Sequence, residues 1–225
     1  MIFMCGRFTL SVELSTILRV FQVQYKKESF IYSKRYNIAP GQNVPVITGP
    51  VDHRVISLMR WGLVPHWAKE VSTGNKLINA RAETIDQKPA FKSSFIKRRC
   101  LVPADGFYEW KKQAGGKTPV RIILPDKEVF AFAGIWAQWQ SPEGNITRSC
   151  AIITTGPNDF MRSIHNRMPV VLSGESACQI WLESNDVVEL KELLQPYGGL
   201  MMAYQVSSMV NSPEHDHPKL LEKYS

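Results

Sequence analysis

The sequence has few cysteines and no long apolar run. Its four cysteines, Cys5, Cys100, Cys150 and Cys178, form neither a C-x-x-C pair nor the spacing of a secreted disulfide framework. No apolar stretch approaches the roughly 18 to 20 residues of a membrane-spanning helix, and no signal-peptide core stands near the N-terminus. We therefore expect a soluble protein of a reducing compartment, the cytoplasm, with no membrane partner.

Several signatures of common chemistry are also missing. The sequence contains no glycine-rich phosphate loop, and no Ser-His-Asp order can be identified in it. His215 and His217, near the C-terminus, lack a third ligand at a recognisable metal-binding spacing. We therefore expect neither a cofactor nor a metal ion.

The chain shows no sign of division into domains. Its 225 residues contain no internal repeat, no low-complexity tract and no composition break that would mark a linker. This length is enough to bury a sizeable core in one domain. The sequence thus predicts a single domain over residues 1–225, and we expect it to be monomeric.

Positive charge is in excess. The chain has 27 Lys and Arg residues against 20 Asp and Glu residues, a net charge of +7. Because Lys and Arg release counterions when they contact phosphates, this balance favours a polyanionic partner such as nucleic acid. Charge alone does not establish such a partner.

The middle of the chain has the pattern of β-structure. Short β-branched and aromatic runs, separated by Gly, Pro and Asp, predict strands at residues 44–48, 53–61, 119–124, 129–136 and 148–155. A further strand is predicted at 200–206. The segment 35–41 ends in a Pro-Gly pair and is predicted to be an ordered loop.

Helices are predicted on either side of this region. Apolar residues recur at helical spacing from Leu14 to Phe21, and Ser11 is placed to cap this helix. Two more helices are predicted to begin at Ser173 and Asp186, before a polar C-terminal tail. The predicted fold class is α+β, with a mostly antiparallel, barrel-like β core and peripheral helices.

Cys5 is the first candidate for chemistry because Met4 precedes it. If translation begins at Met4, or if the leader is removed, Cys5 carries both a free α-amine and a thiol. An α-amine, with a pKa of about 7.7 to 8.0, can attack an aldehyde to form a Schiff base, on which the thiol then closes a thiazolidine ring. The alternative is a small buried cysteine without a chemical role.

Three short motifs place polar residues among apolar ones. They are NARAE at 79–83, GFYEW at 106–110 and HNRMP at 165–169. The aromatic neighbours of Glu109 are expected to desolvate its carboxylate, raise its pKa and suit it to proton transfer. A solvated strand face is the alternative for Glu109, and a structural role remains open for His165.

Together with four other motifs, these segments resemble the SOS response-associated peptidase family, whose members resemble abasic-site processing proteins. The others are CGRF at 5–8, RYNIAP at 35–40, WGLVP at 61–65 followed by Trp67, and CLVPA at 100–104. The motifs span residues 5 to 169 in order, and several are rich in aromatic residues, so the resemblance is specific.

The resemblance implies a role for each of four residues. Cys5 is expected to be the nucleophile that links to the abasic site, and Asn79 is expected to hold the sugar or the ring. Glu109 is expected to shuttle protons during Schiff-base formation and leader removal. His165 is expected to assist proton transfer at the sugar and reversal of the crosslink.

It also implies a set of residues that bind single-stranded DNA around the lesion. They are Arg7, Asn37, Trp67, Arg81, Trp110 and Arg167. The three arginines are predicted to contact phosphates, and the tryptophans to stack on bases or wedge between them. The alternative for both tryptophans is packing in the core.

The sequence departs from the family at its start. The family presents its cysteine directly after the initiator Met, whereas three further residues precede Met4 here. A chain that retained this leader would have a blocked amine, so we expect it to bind DNA without forming a thiazolidine.

The predicted function is that of an abasic-site sensor in single-stranded DNA. It would form a thiazolidine DNA-protein crosslink through Cys5, with lyase-type chemistry and autoproteolytic removal of its leader, and would associate with the nucleoid when DNA is damaged. One alternative is a cysteine peptidase in which the Cys5 thiolate acts with His165 as its base. The other is a non-catalytic DNA-binding module that does not need Cys5.

Overall fold

The computed structural model describes residues 5–27 and 30–224, which contain fourteen strands and five α-helices. The strands are β1 Phe8–Leu10, β2 Tyr25–Lys26, β3 Arg35–Ile38, β4 Asn43–Thr48, β5 Val55–Trp61, β6 Asn79–Arg81, β7 Arg99–Ala104, β8 Gly106–Gln113, β9 Gly116–Ile123, β10 Phe130–Gln140, β11 Ile146–Thr155, β12 Met168–Pro169, β13 Val171–Leu172 and β14 Met202–Gln205. The helices are α1 Leu14–Val20, α2 Lys92–Lys97, α3 Asp159–Arg162, α4 Gly174–Glu183 and α5 Val187–Glu192. Short 3-10 helices span Val51–His53, Val71–Lys76, Ala82–Thr84, Ser208–Asn211 and Pro218–Leu221.

Five strands close a barrel. β10 pairs with β11 and β7, β7 pairs with β4, and β4 pairs with β5, all antiparallel. β5 completes the ring by pairing parallel with β11, where Arg60 lies opposite Ser149 and Trp61 opposite Cys150. The prediction of a mostly antiparallel, barrel-like core with peripheral helices is therefore confirmed.

A second sheet, in the order β14-β9-β8-β1-β3, packs on the barrel. Phe8 of β1 joins the two parts, because its ring makes edge contacts with the buried rings of Trp61 and Phe132 at centroid distances of 5.2 and 5.8 Å. Burial of such large aromatic side chains contributes strongly to the stability of a core. Strand β1 is thereby fixed against the barrel.

Two predictions about the first forty residues are wrong. Helix α1 begins at Leu14 with Glu13 in the capping position, while Ser11 donates hydrogen bonds from its amide and hydroxyl to the carboxylate of Asp105. Asp105 is buried, so its carboxylate requires hydrogen-bond donors. Loss of these donors would cost more free energy than the loss of a cap costs a short helix. The predicted loop at 35–41 begins with strand β3, which pairs with β1.

The later elements agree better with the sequence. β4, β5, β9, β10, β11 and β14 overlap the predicted strands, and Asp186 caps α5 by accepting the Val188 amide at 2.8 Å. Strands β7 and β8 were not predicted, because Pro103, Asp105 and Gly106 lie close together and are residue types that are typical of breaks between elements. Among the described residues, no helix combines the length and the apolar character that crossing a membrane requires.

Candidate active site and nucleic-acid interface

Cys5 lies just before β1 with its backbone nitrogen held by a buried carboxylate. The Cys5 nitrogen donates to Oε1 of Glu109 at 2.9 Å, and Cys5 is only 5% exposed. Its φ of 46° falls in the left-handed region, which residues other than Gly seldom adopt. The sequence motif at 5–8 thus begins in a strained turn that presents the nitrogen of Cys5 to Glu109.

Glu109 has the environment that its aromatic neighbours predict. It lies in β8 and is 2% exposed. Burial raises the pKa of its carboxyl above the usual value, while His165 and the hydrogen bonds from Cys5 act in the opposite direction. A carboxyl whose pKa lies above the usual value is better suited to hold and release a proton.

The thiol of Cys5 is kept in its neutral form. Burial is the largest cause that raises its pKa well above the usual value, followed by the negative charge of Glu109. The positive charge of Arg167 opposes this effect but does not reverse it. A thiolate at Cys5 is therefore disfavoured, whereas the neutral thiol is retained.

His165 approaches the same carboxylate from the loop after α3. Its Nδ1 lies 3.9 Å from Oε1 of Glu109, 3.2 Å from the backbone nitrogen of Arg167 and 3.3 Å from the carbonyl oxygen of the same residue. The Cys5 nitrogen, Glu109 and His165 therefore form one connected group.

Asn79 and Arg81 lie on β6, which runs parallel to β11. Arg81 is exposed and lies opposite Thr154, whose carbonyl accepts a hydrogen bond from Nη2 of Arg167 at 2.6 Å. Arg167 also forms a bidentate ion pair with Glu83. β6 and the loop that carries His165 and Arg167 are thus brought together at one end of β11.

A cleft of about 990 Å³ opens over Glu109, His165 and Trp110. Arg7 lines it, and so do Lys112, Lys117 and Arg162, three cations that the sequence did not single out. Glu109 is the one carboxylate among its lining residues in the described part of the chain. The cleft is therefore suited to an anionic ligand.

Lys112 and Lys117 face each other across the hairpin of β8 and β9. Like charges in directly opposed positions destabilise a strand pair, so their placement is better explained by an anionic partner than by the fold. The sequence carries a signal for them, since Lys112 and Lys117 stand symmetrically about the two-residue turn Ala114-Gly115, where Gln113 pairs with Gly116.

Three of the other predicted DNA-binding residues are placed differently. Asn37 is fully buried and donates to the carbonyls of Ser212 and His215 at 2.9 and 2.8 Å. Trp67 is 54% exposed on a separate surface recess beside Lys69. Arg7 lines the cleft but donates to Oδ1 of Asn37 at 2.8 Å. Their contacts with DNA stay predictions.

Within residues 5–27 and 30–224, no cluster of three or more His, Cys, Asp or Glu side chains could hold a metal ion.

This chain combines a barrel-like β core with a cysteine whose backbone nitrogen is hydrogen-bonded to a buried glutamate, and its motifs indicate the class of SOS response-associated peptidases. The chain belongs to this family, since the model named SOS response associated peptidase (SRAP) matches residues 4–213. The resemblance that the motifs indicate is confirmed.

Individual relatives carry more specific names. Abasic site processing protein YoqW of Bacillus subtilis (strain 168) is 45% identical over 225 residues, covering 98% of this chain and 100% of that protein. Abasic site processing protein HMCES of Gallus gallus is 31% identical, covering 97% of this chain and 77% of that protein. A solved structure of a protein from Bacteroides thetaiotaomicron matches with a TM-score of 0.87 and 26% identity, covering 98% of this chain and 100% of that chain.

Proposed function

We propose that the protein processes abasic sites in single-stranded DNA by capturing the exposed sugar aldehyde on Cys5 as a thiazolidine, which shields the lesion. The observation that carries the proposal is the 2.9 Å hydrogen bond from the Cys5 nitrogen to the buried carboxylate of Glu109. The names of the relatives, abasic site processing proteins, support the substrate.

The first step is removal of the leader by hydrolysis of the bond between Met4 and Cys5. Residues 1–4 lie outside the described residues, so the proposal rests on the Cys5 side of that bond. In this step water adds to the carbonyl carbon of Met4, the Glu109 carboxylate takes the proton that the water loses, and it passes this proton to the departing Cys5 nitrogen, which becomes the α-amine. Cleavage also relieves the left-handed turn, because a terminal residue has no φ to constrain.

Capture then proceeds without any change of oxidation state. The neutral α-amine adds to the aldehyde carbon, and Glu109 accepts the proton that the nitrogen loses. The carbinolamine hydroxyl leaves as water after protonation, which gives the imine. The thiol sulfur of Cys5 adds to the imine carbon and its proton goes to the nitrogen, so the whole reaction releases one water.

The charge of the cleft supports a nucleic-acid strand as the partner. Lys112, Lys117 and Arg162 can contact phosphates on either side of the lesion without reading bases. Trp110 lines the same cleft and offers a ring on which a neighbouring base can stack. In this proposal the protein is a cytoplasmic monomer that associates with the nucleoid when DNA is damaged.

The environment of Cys5 argues against an ordinary cysteine peptidase. That mechanism needs a thiolate, and burial raises the pKa of this thiol. Amine-first capture needs only a neutral thiol for ring closure. Proteolysis is therefore assigned to the protein's own leader alone.

Intact-mass measurement tests the proposal. A chain that begins at Cys5 is mixed with single-stranded DNA carrying one abasic site, and the expected product has the summed mass of both molecules less one water. The matched controls are the same strand without the lesion and a chain that retains residues 1–4. Equal labelling of lesion-free DNA would overturn the proposal.

A further inference from the structure

Residues 207–224, here called the C-terminal strap, are ordered along the second sheet, although the sequence predicts a polar tail there. Val210 and Leu220 of the strap are buried with Val206 and Tyr108 in an apolar cluster of their own. Trp110 packs against this cluster from the side of the cleft. The strap thus forms part of the support beneath the cleft wall.

Partly buried hydrogen bonds fasten the strap to β3. The carboxylate of Asp216 accepts the backbone N–H groups of Tyr36 and Asn37 at 2.5 and 3.0 Å and pairs with Arg35. Asp216 lies beyond residues 4–213, which the family model matches. These contacts hold the strap against β3.

One strap residue contacts two residues that line the cleft. Oδ1 of Asn211 accepts the indole N–H of Trp110 at 2.7 Å, and its backbone carbonyl accepts from Nη2 of Arg7 at 3.0 Å. The guanidinium of Arg7 lies 5.9 Å from the centroid of the Trp110 ring. The Trp110 indole is therefore held at its N–H by Asn211 and at one ring face by the guanidinium of Arg7.

We propose that Asn211 is a positioning residue that fixes the Trp110 ring for stacking against a DNA base. The inference rests on the proposed function, because Trp110 is its contact with the strand. A ring that is already fixed loses less conformational freedom when a base stacks on it, so the strand binds more tightly. Asn211 acts through Trp110, and the chemistry at Cys5 does not depend on it.

A double-mutant cycle on non-covalent DNA binding tests this coupling. Asn211→Ala is expected to raise the Kd for abasic single-stranded DNA about 5-fold, the effect of one hydrogen bond, while the capture rate at saturating DNA stays unchanged. In a Trp110→Phe background, which has no indole N–H, Asn211→Ala should add little to the Kd. An equal effect of Asn211→Ala in both backgrounds would overturn the proposal.

Ser207→Ala is the matched control for general loosening of the strap. The Ser207 hydroxyl accepts the Met209 amide at the start of the same 3-10 helix, and its removal should leave the Kd unchanged. If Ser207→Ala weakened binding as much as Asn211→Ala, strap stability and not the contact with Trp110 would be responsible.

A measurement without DNA separates this inference from the proposed function. In protein labelled with fluorotryptophan, the fluorine resonance that disappears in Trp110→Phe belongs to residue 110. Asn211→Ala should shift or broaden that resonance, and Ser207→Ala should not. An unmoved resonance would overturn the positioning role, whereas a moved resonance in a protein that fails to capture abasic DNA would count against the proposed function alone.

Discussion

Nδ1 of His165 lies 3.9 Å from Oε1 of Glu109, and the same oxygen accepts the hydrogen bond from the Cys5 nitrogen. Glu109 therefore stands between the head of the chain and a ring that lines the cleft. A proton taken from the Cys5 nitrogen has a short route through one carboxyl oxygen towards the cleft.

Glu109→Gln is expected to slow capture of an abasic site by about 10²-fold or more, because the amide keeps the size of the side chain but cannot carry a proton. Single-turnover assays with excess protein measure the rate, and the Kd of the non-covalent complex should stay unchanged. Glu128→Gln, at an exposed carboxylate paired with Arg19, is the control. An unchanged capture rate would make Glu109 a structural carboxylate only.

Glu109→Gln is also expected to change the pH dependence of stability. The folded state raises the pKa of this carboxyl, so the folded protein holds the proton at pH values where the unfolded chain has released it. Ionisation of Glu109 therefore lowers the free energy of unfolding of the wild type as the pH rises from the usual pKa of a carboxyl through the raised pKa of Glu109. The Tm advantage of Glu109→Gln should be small near pH 4, grow with pH and then level off. A pH-independent difference in thermal unfolding would contradict the raised pKa.

Local pattern predicted the surroundings of Glu109 but not its partners. Three aromatic neighbours in sequence, among them Phe107 and Tyr108, indicate a desolvated carboxylate, although the strand that carries Glu109 was not predicted. The hydrogen bond to Cys5 joins residues 104 positions apart, and no local propensity encodes such a pairing. The family resemblance indicates that Cys5 and Glu109 act together, but only the fold shows the hydrogen bond between them.

The same limit explains why the role of Asn37 in the fold was missed. Its amide is bound to carbonyls 175 and 178 positions away, in a tail whose polar sequence favours solvent. Asp216 lies in that tail, yet it is fastened to β3, a strand whose sequence is typical of a loop. Four-residue strands with alternating polar residues are formed by tertiary pairing, which a single sequence does not display.

Replacing the opposed lysines is expected to weaken DNA binding without slowing chemistry. Lys112→Gln with Lys117→Gln leaves two phosphates without a cationic partner, so the slope of log K against log salt should become shallower by about 0.7 for each of these phosphates on a single strand. The Kd should rise equally for strands of different sequence, and stability should increase slightly because a like-charge pair is gone. Lys92→Gln with Lys97→Gln, on the exposed face of α2, is the matched control. An unchanged salt slope in the first double variant would remove these lysines from the DNA interface.

The last prediction separates the chemistry of the amine from that of the thiol. In protein that begins at residue 5, Cys5→Ser keeps the α-amine beside Glu109, so it should still form an imine with an abasic site that borohydride traps. Without reductant the adduct should not last, because a serine hydroxyl is a weaker nucleophile than sulfur and its oxazolidine ring hydrolyses readily. Retaining residues 1–4 should abolish both products, since an amide nitrogen does not attack an aldehyde at neutral pH. Denaturing gels and intact mass, with and without borohydride, distinguish these outcomes. If the chain with its leader crosslinked as well as the processed chain, the thiol alone would be responsible, and the cysteine-peptidase mechanism would replace the one proposed.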